Sequence, residues 1–239
     1  MNTASQKPFA VVTGGSSGIG FELAKQFAQN GFDLLLAAEP DGLARAAQDI
    51  QSLCASVETI SVDLAKSDGV DQLYTKIKSS GRPVDAIAIN AGIGIGGDFR
   101  ETDLDEELNL LNLKVISTVP LAKHVIKDMA ARGSGRVLFT ASVASLMPAP
   151  FEAVYGASKA FVFSFSEALR DELKDTGVSV TALLPGPTET DFFHRAEMDD
   201  TNVGVSKKDD PADVAKDGFA ALMAGKDKSH CRQLQNQSA

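Results

Sequence analysis

Residues 9–20, Phe9-Ala10-Val11-Val12-Thr13-Gly14-Gly15-Ser16-Ser17-Gly18-Ile19-Gly20, run from a short apolar segment directly into a glycine-rich turn. Phe9–Thr13 has the length and β-branched content of a buried strand. Apolar residues at 19, 23, 24 and 27 follow at helical spacing until Asn30-Gly31 stops the helix. Strand, glycine turn and helix in this order make the first half of a βα unit. Glycines let the backbone turn sharply and come close to an anion, and the helix N-terminus offers it free N–H groups and the positive end of a dipole. At the first βα turn of a parallel sheet, such a loop is expected to hold the phosphates of a nucleotide.

The same alternation continues outward. Strand-like runs at Phe32–Ala37, Val57–Val62, Asp85–Ile89, Arg136–Ala141 and Val178–Leu184 alternate with helical patterns at about 40–53, 67–80, 103–132 and 153–174. Crossovers of that length imply a parallel sheet with helices on both faces, a doubly wound α/β (Rossmann) fold. No linker, charge block or change of composition divides the 239 residues, so one domain is expected over 1–239, with 1–7 and about 226–239 read as flexible ends. Asp191–Asp210 is polar, has no clean period and reads as a mobile flap. Ser229–Ala239 alternates only weakly, which leaves a seventh strand doubtful.

With 32 acidic against 23 basic residues, the net charge of −9 argues against nucleic acid and anionic membrane as partners. No apolar run approaches the roughly 18–20 residues of a membrane span. Cys54 and Cys231 stand in unrelated contexts, as in a reduced cytoplasmic protein. The histidines at 124, 194 and 230 have no ligand spacing, and no metal is expected.

Beyond the strand at 136–141 comes Ser142, then Tyr155 thirteen residues later and Lys159 four after that, in Tyr155-Gly156-Ala157-Ser158-Lys159. On a helix, that last spacing puts Tyr155 and Lys159 on one face. A tyrosine ionises about three units too high for a base at neutral pH, a gap of roughly 4 kcal/mol. A neighbouring ammonium narrows that gap by favouring the phenolate.

Thr13-Gly14-x-x-x-Gly18-Ile19-Gly20 and Ser142…Tyr155-x-x-x-Lys159 resemble the signatures of the short-chain dehydrogenase/reductase family in its compact single-domain branch, and the similarity runs to about residue 190. The resemblance implies an enzyme that moves a hydride between NAD(P) and a carbonyl or alcohol. In it, Gly14, Ser16, Ser17, Gly18, Ile19 and Gly20 would line the pyrophosphate and ribose. Asp63 with Leu64 would face the adenine, and Asn90-Ala91-Gly92 would lie beside the adenine ribose. Pro185, Gly186, Thr188 and Thr190 would hold the nicotinamide. Tyr155 would be the general acid/base, and Lys159 would lower its pKa and bind ribose hydroxyls. Ser142 would hold the substrate oxygen. Asn112 matches the family's helix asparagine, which holds a water linking the lysine to solvent.

Glu39-Pro40-Asp41 follows the second strand, where a carboxylate binds ribose hydroxyls and repels a 2′-phosphate. NAD is therefore the expected cofactor, with NADP the second choice. Ile93, Gly94, Val143, Ala144, Met147, Phe151 and Phe192-Phe193-His194 are candidates for the substrate wall. Their apolar character points to a small hydrophobic aldehyde, ketone or alcohol. Phe161, Val162, Phe163 and Phe165 exceed what one helix face against a sheet needs, consistent with a homodimer on the two long helices or a homotetramer. Two rival readings are a non-catalytic NAD(H)-binding sensor or scaffold, opposed by Tyr155 and Lys159, and a nucleotide-sugar epimerase, opposed by the glycine spacing.

Overall fold

A computed structural model describes residues 6–53, 56–190, 192, 196 and 207–230. Among them lie seven strands: β1 (Phe9–Thr13), β2 (Asp33–Ala38), β3 (Val57–Ser61), β4 (Ala86–Ile89), β5 (Gly135–Thr140), β6 (Val178–Leu184) and β7 (Lys228–His230). They form one parallel sheet in the order β3-β2-β1-β4-β5-β6-β7. The order reverses between β1 and β4, and a crevice opens there at the carboxyl ends of the strands, as doubly wound sheets require. The helices are α1 (Gly18–Gln29), α2 (Leu43–Gln51), α3 (Gly69–Ser79), α4 (Leu104–Leu111), α5 (Thr118–Arg132), α6 (Ala153–Glu172) and α7 (Pro211–Met223). No helix of the described residues is long and apolar enough to cross a membrane.

The strands are apolar throughout because both faces of the sheet are covered. Along β1, Phe9 and Val11 enter the core shared with α3, α5 and α6, while Ala10 and Val12 enter the one shared with α1, α2 and α7. In the second core the Phe27 ring meets Phe32 and Phe219 edge-on, with centroids 5.2 and 5.1 Å away, which fixes α1 against α7.

Three features depart from the sequence reading. The single helix expected over 103–132 is interrupted by a π turn at Asn112–Ile116. There Ser117 N–H donates to the Asn112 carbonyl at 2.9 Å, five residues back. The Ser117 and Thr118 hydroxyls donate to the carbonyls of Leu113 and Lys114, at 2.6 and 2.9 Å, and Pro120 has no N–H to offer the turn behind it. Second, the doubtful seventh strand exists: Lys228–His230 pairs in parallel with Ala182–Leu184, over too few residues for alternation to show. Third, α7 was not read from the sequence. Its start carries the usual signals, Pro211 in the first turn and Asp210 Oδ1 accepting from Ala212 N–H at 2.8 Å.

At the amino ends of β5 and β6, away from the crevice, Gly177 (φ +75°) rests on the carbonyl of Gly133, and an added Cβ would overlap it. Gly177→Ala is expected to cost roughly 2 kcal/mol or more of stability, read from the denaturant midpoint, with no change in ligand affinity.

Candidate active site

The site begins with the carboxyl ends of three strands. Thr13 Oγ1 accepts from the N–H groups of Asn90 and Ala91 at 2.9 and 3.0 Å. The Asn90 side chain donates to Thr13 O at 3.2 Å and accepts from Thr140 Oγ1 at 3.0 Å, which joins β1, β4 and β5. Gly14 (φ +67°) leads the chain over this knot, where an added Cβ would lie 2.9 Å from Ala91 Cα. A side chain at Gly20 would overlap the Gly14 carbonyl, so α1 sits hard against the turn. Ser17, the N-cap of α1, makes no side-chain cap hydrogen bond, and the first turn carries no acidic residue. An open helix N-terminus over a close-packed glycine turn suits a pyrophosphate.

The cleft has a volume of about 890 Å³ and runs from Glu39 to Phe192. Every residue singled out from the sequence as cofactor-binding or catalytic lines it, except Asn112. Among the described residues its lining cations are Lys114 and Lys159, and its carboxylates are Glu39, Asp41, Asp63 and Glu152. Asp63 is held in place by the Ala65 N–H, which donates to its Oδ1 at 2.9 Å. Of the candidate substrate wall, Ile93, Val143, Ala144, Met147 and Phe192 border the cleft. Gly94 lies behind them, where an added Cβ would collide with the Phe192 ring. Phe151 instead points outward, 69% exposed, and Phe193 and His194 fall outside the described residues.

Ser142 caps a short 3-10 turn at Val143–Ser145, its Oγ accepting from Ala144 N–H at 3.1 Å. Ser145 Oγ donates to the Lys159 carbonyl at 3.0 Å, which ties that turn to α6. Tyr155 and Lys159 share the inward face of α6, both buried. Lys159 Nζ donates to Thr140 O at 2.6 Å and lies 5.8 Å from the Tyr155 ring centroid.

Burial pushes the Tyr155 phenol above its ordinary range; Glu152 adds to this, and a hydrogen bond with Ser142 opposes it. The expectation that Lys159 lowers the Tyr155 pKa is therefore not met by the chain's own charges. Burial brings Lys159 itself down to about 8, which weakens it as a fixed positive neighbour.

Asn112 requires a correction. It is exposed at the start of the π turn and does not border the cleft. The helix residue that faces Lys159 is Lys114, which is 3% exposed with Nζ 4.7 Å from the Tyr155 ring centroid. Glu107, Leu110, Lys114 and Thr118 are all buried and spaced as one helix face, with Ser117 buried beside it, and residue 112 falls off it. Burial, with repulsion from Lys159, holds the Lys114 amine well below the usual lysine range. Glu152, just before α6, is raised by burial and lowered in part by Lys114.

The lysine shift has a consequence for stability. Lys159 titrates at about 8 in the folded chain against 10.5 when unperturbed, so between these values the unfolded chain binds a proton that the folded chain lacks. It contributes stability above the unfolded value that is lost as pH falls through about 8. Comparing wild type with Lys159→Met, the wild type is expected to lose roughly 3 kcal/mol relative to the variant between pH 10.5 and 8. Parallel stability curves in denaturant titrations would contradict this.

The geometry has known counterparts. The short chain dehydrogenase family model matches residues 8–201. An uncharacterized oxidoreductase of Staphylococcus saprophyticus is 33% identical over 227 residues, covering 94% of each chain. A short-chain dehydrogenase from Sphingobium yanoikuyae, solved in complex with NADPH, superposes with a TM-score of 0.87 at 26% identity, over 93% of this chain and 87% of that one. L-sorbose reductase from Gluconobacter frateurii, complexed with NADPH and L-sorbose, gives 0.84 at 26% identity over 97% of both chains. With its glycine turn, its Ser142–Tyr155–Lys159 cluster and these matches, the chain belongs to the short chain dehydrogenase family.

Proposed function

We propose that this oxidoreductase moves a hydride between NAD and a small aldehyde, ketone or alcohol, with Tyr155 passing the accompanying proton. Family membership supplies the coarse part, an NAD(P)-dependent enzyme acting on carbonyl and alcohol groups. The residue roles and the preference for NAD are our reading. The observation that carries it is the buried Tyr155 phenol, which shares the cleft wall with Ser142 and Lys159.

When bound, the cofactor supplies or accepts the hydride. The glycine turn and the α1 N-terminus hold its pyrophosphate, and Pro185, Gly186, Thr188 and Thr190 hold the nicotinamide end. The 185–190 segment is braced for this by Val143 N–H donating to Pro185 O at 3.0 Å and Asp209 N–H donating to Pro187 O at 2.8 Å. Ser142 Oγ orients the substrate oxygen. Tyr155, kept protonated by its burial, donates to that oxygen as it gains charge during reduction.

NAD is favoured because the ribose end of the cleft presents Glu39 and Asp41, while the cleft's lysines, 114 and 159, stand at the Tyr155 end. A 2′-phosphate would meet two carboxylates there. The two related structures cited above hold NADPH, and this charge pattern is the reason to expect a different choice here. Ile93, Val143, Ala144, Met147 and Phe192 favour an apolar body on the substrate. Leu104, Leu108 and Ile116 are 65%, 47% and 62% exposed and Phe161 37%, an apolar surface for pairing two copies through α4 and α6. The two unrelated cysteines favour a cytoplasmic location.

Cofactor oxidation with a panel of aldehydes and ketones tests the reading. NADH is expected to exceed NADPH by about tenfold or more in kcat/KM. Tyr155→Phe is expected to reduce turnover by roughly 10²–10⁴ with cofactor affinity retained. A preference for NADPH overturns the cofactor assignment, and an active Tyr155→Phe overturns the proton role. Leu108→Lys is expected to shift a dimer to monomer by light scattering.

A further inference from the structure

A second buried amine stands beside Lys159, and the roles above leave it without a task. Lys114 enters from the π turn, borders the cleft, and lies over the Tyr155 ring. An added Cβ on Gly92 would meet Lys114 Nζ at 2.6 Å, so the glycine of the cofactor turn also makes room for this nitrogen. Two charges act on Lys114: Lys159 repels it and Glu152 attracts it. Tyr155 is the other ionisable group against it, and Glu107 on the same helix face is engaged by Thr102 Oγ1 at 2.8 Å.

Two ammonium groups cannot share a dry site at low cost, so the pair holds one proton between them and one amine stays neutral. A neutral amine next to an ammonium is both acceptor and donor. Glu152 is half-buried at the start of α6, close enough to Lys114 to feel its charge and open enough to meet water.

We propose that Lys114, with Glu152 as its counter-charge, carries protons between Lys159 and solvent, a path built from this chain's own side chains. This rests on the reading of Tyr155 as proton donor. During carbonyl reduction the Tyr155 O–H bond breaks and the substrate oxygen gains the proton. The proton missing from Tyr155 is made good from the Lys159 ammonium. Once Lys159 is neutral, the repulsion that disfavours an ammonium at Lys114 is gone, and Lys114 takes a proton from solvent beside Glu152, whose carboxylate attracts the new charge. Lys114 then passes a proton to the Lys159 amine, so that one proton taken from solvent replaces the one given to the substrate. The site returns to its starting charge after each turnover, and oxidation of an alcohol runs the path backwards. Lys114 is thus a positioning and relay residue that acts through Lys159.

The test uses the full chain with NADH and any ketone that it reduces, comparing wild type, Lys114→Met and Glu152→Gln. Lys114→Met is expected to lower kcat by about tenfold or more, leave KM for NADH within about twofold, and displace the kcat–pH profile. Glu152→Gln moves both in the same direction by less. A Lys114→Met profile that superimposes on wild type overturns the proposal. If Lys114→Met fails to fold, Glu152→Gln decides, and an unchanged profile in it has the same meaning. A second readout needs no turnover: titration of ¹³C-labelled lysine side chains by NMR, with Lys159→Met for assignment. Besides that of Lys159, a second lysine signal titrating well below the ordinary lysine range, absent in Lys114→Met, is expected. A Lys114 that titrates near the ordinary 10.5 overturns the relay. Lack of turnover by every protein, wild type included, would defeat the proposed function, while the lysine titration still decides between the two outcomes for Lys114.

Discussion

The hydrogen bonds between Thr13 and Asn90 hold the carboxyl edge of the sheet together. Through them and Thr140, the ends of β1, β4 and β5 form one knot. Each such bond contributes about 1 kcal/mol net, but leaving any one of its buried groups unsatisfied costs more. The knot fixes Gly14 against Ala91 on one side. On the other side it fixes Thr140, whose carbonyl accepts from Lys159 Nζ. The glycine turn and Lys159, far apart in sequence, are therefore parts of one rigid unit. Asn90 does its work chiefly by positioning, since both ends of its amide are engaged with protein.

The strands were legible because a parallel sheet covered on both faces needs unbroken apolar runs, and Phe9–Thr13 or Val178–Leu184 can be little else. The glycine turn was legible because glycine takes the φ of +67° at residue 14 without strain, and a side chain at residue 20 would overlap the Gly14 carbonyl. What escaped the reading was set by local competition for hydrogen bonds. The π turn arises where Ser117 and Thr118 hydroxyls and Pro120 disturb the helical ladder, and no apolar period reports that. A pattern match placed the helix asparagine at 112, two residues from the position that faces Lys159. On a helix, two residues turn the side chain to nearly the opposite side. Burial periodicity, 107, 110, 114, 118, was the better guide, because it follows the face that packs. A lysine in such a row reads as a break in the pattern until the site is assembled around it.

Charge is sorted along the cleft, and the sorting follows from what each end must do. Carboxylates stand at the Glu39 end, where sugar hydroxyls can donate to them. The open α1 N-terminus lies at the glycine turn, where the pyrophosphate charge would fall. Amines stand at the Tyr155 end, where the proposed reduction would consume a proton. Groups of this kind are costly where water is excluded, and Lys114 and Lys159 are both buried at the cleft wall. A methionine at 114 would fill the same space without the desolvation cost. The fold tolerates the lysine because the strand-end knot and the two apolar cores carry its stability. The pairing of Lys114 with Lys159 gives that tolerance a chemical meaning: in a dry wall, an amine whose protonation depends on its neighbour's charge responds to the loss of a single proton from that neighbour, which is what a proton path into a buried tyrosine requires.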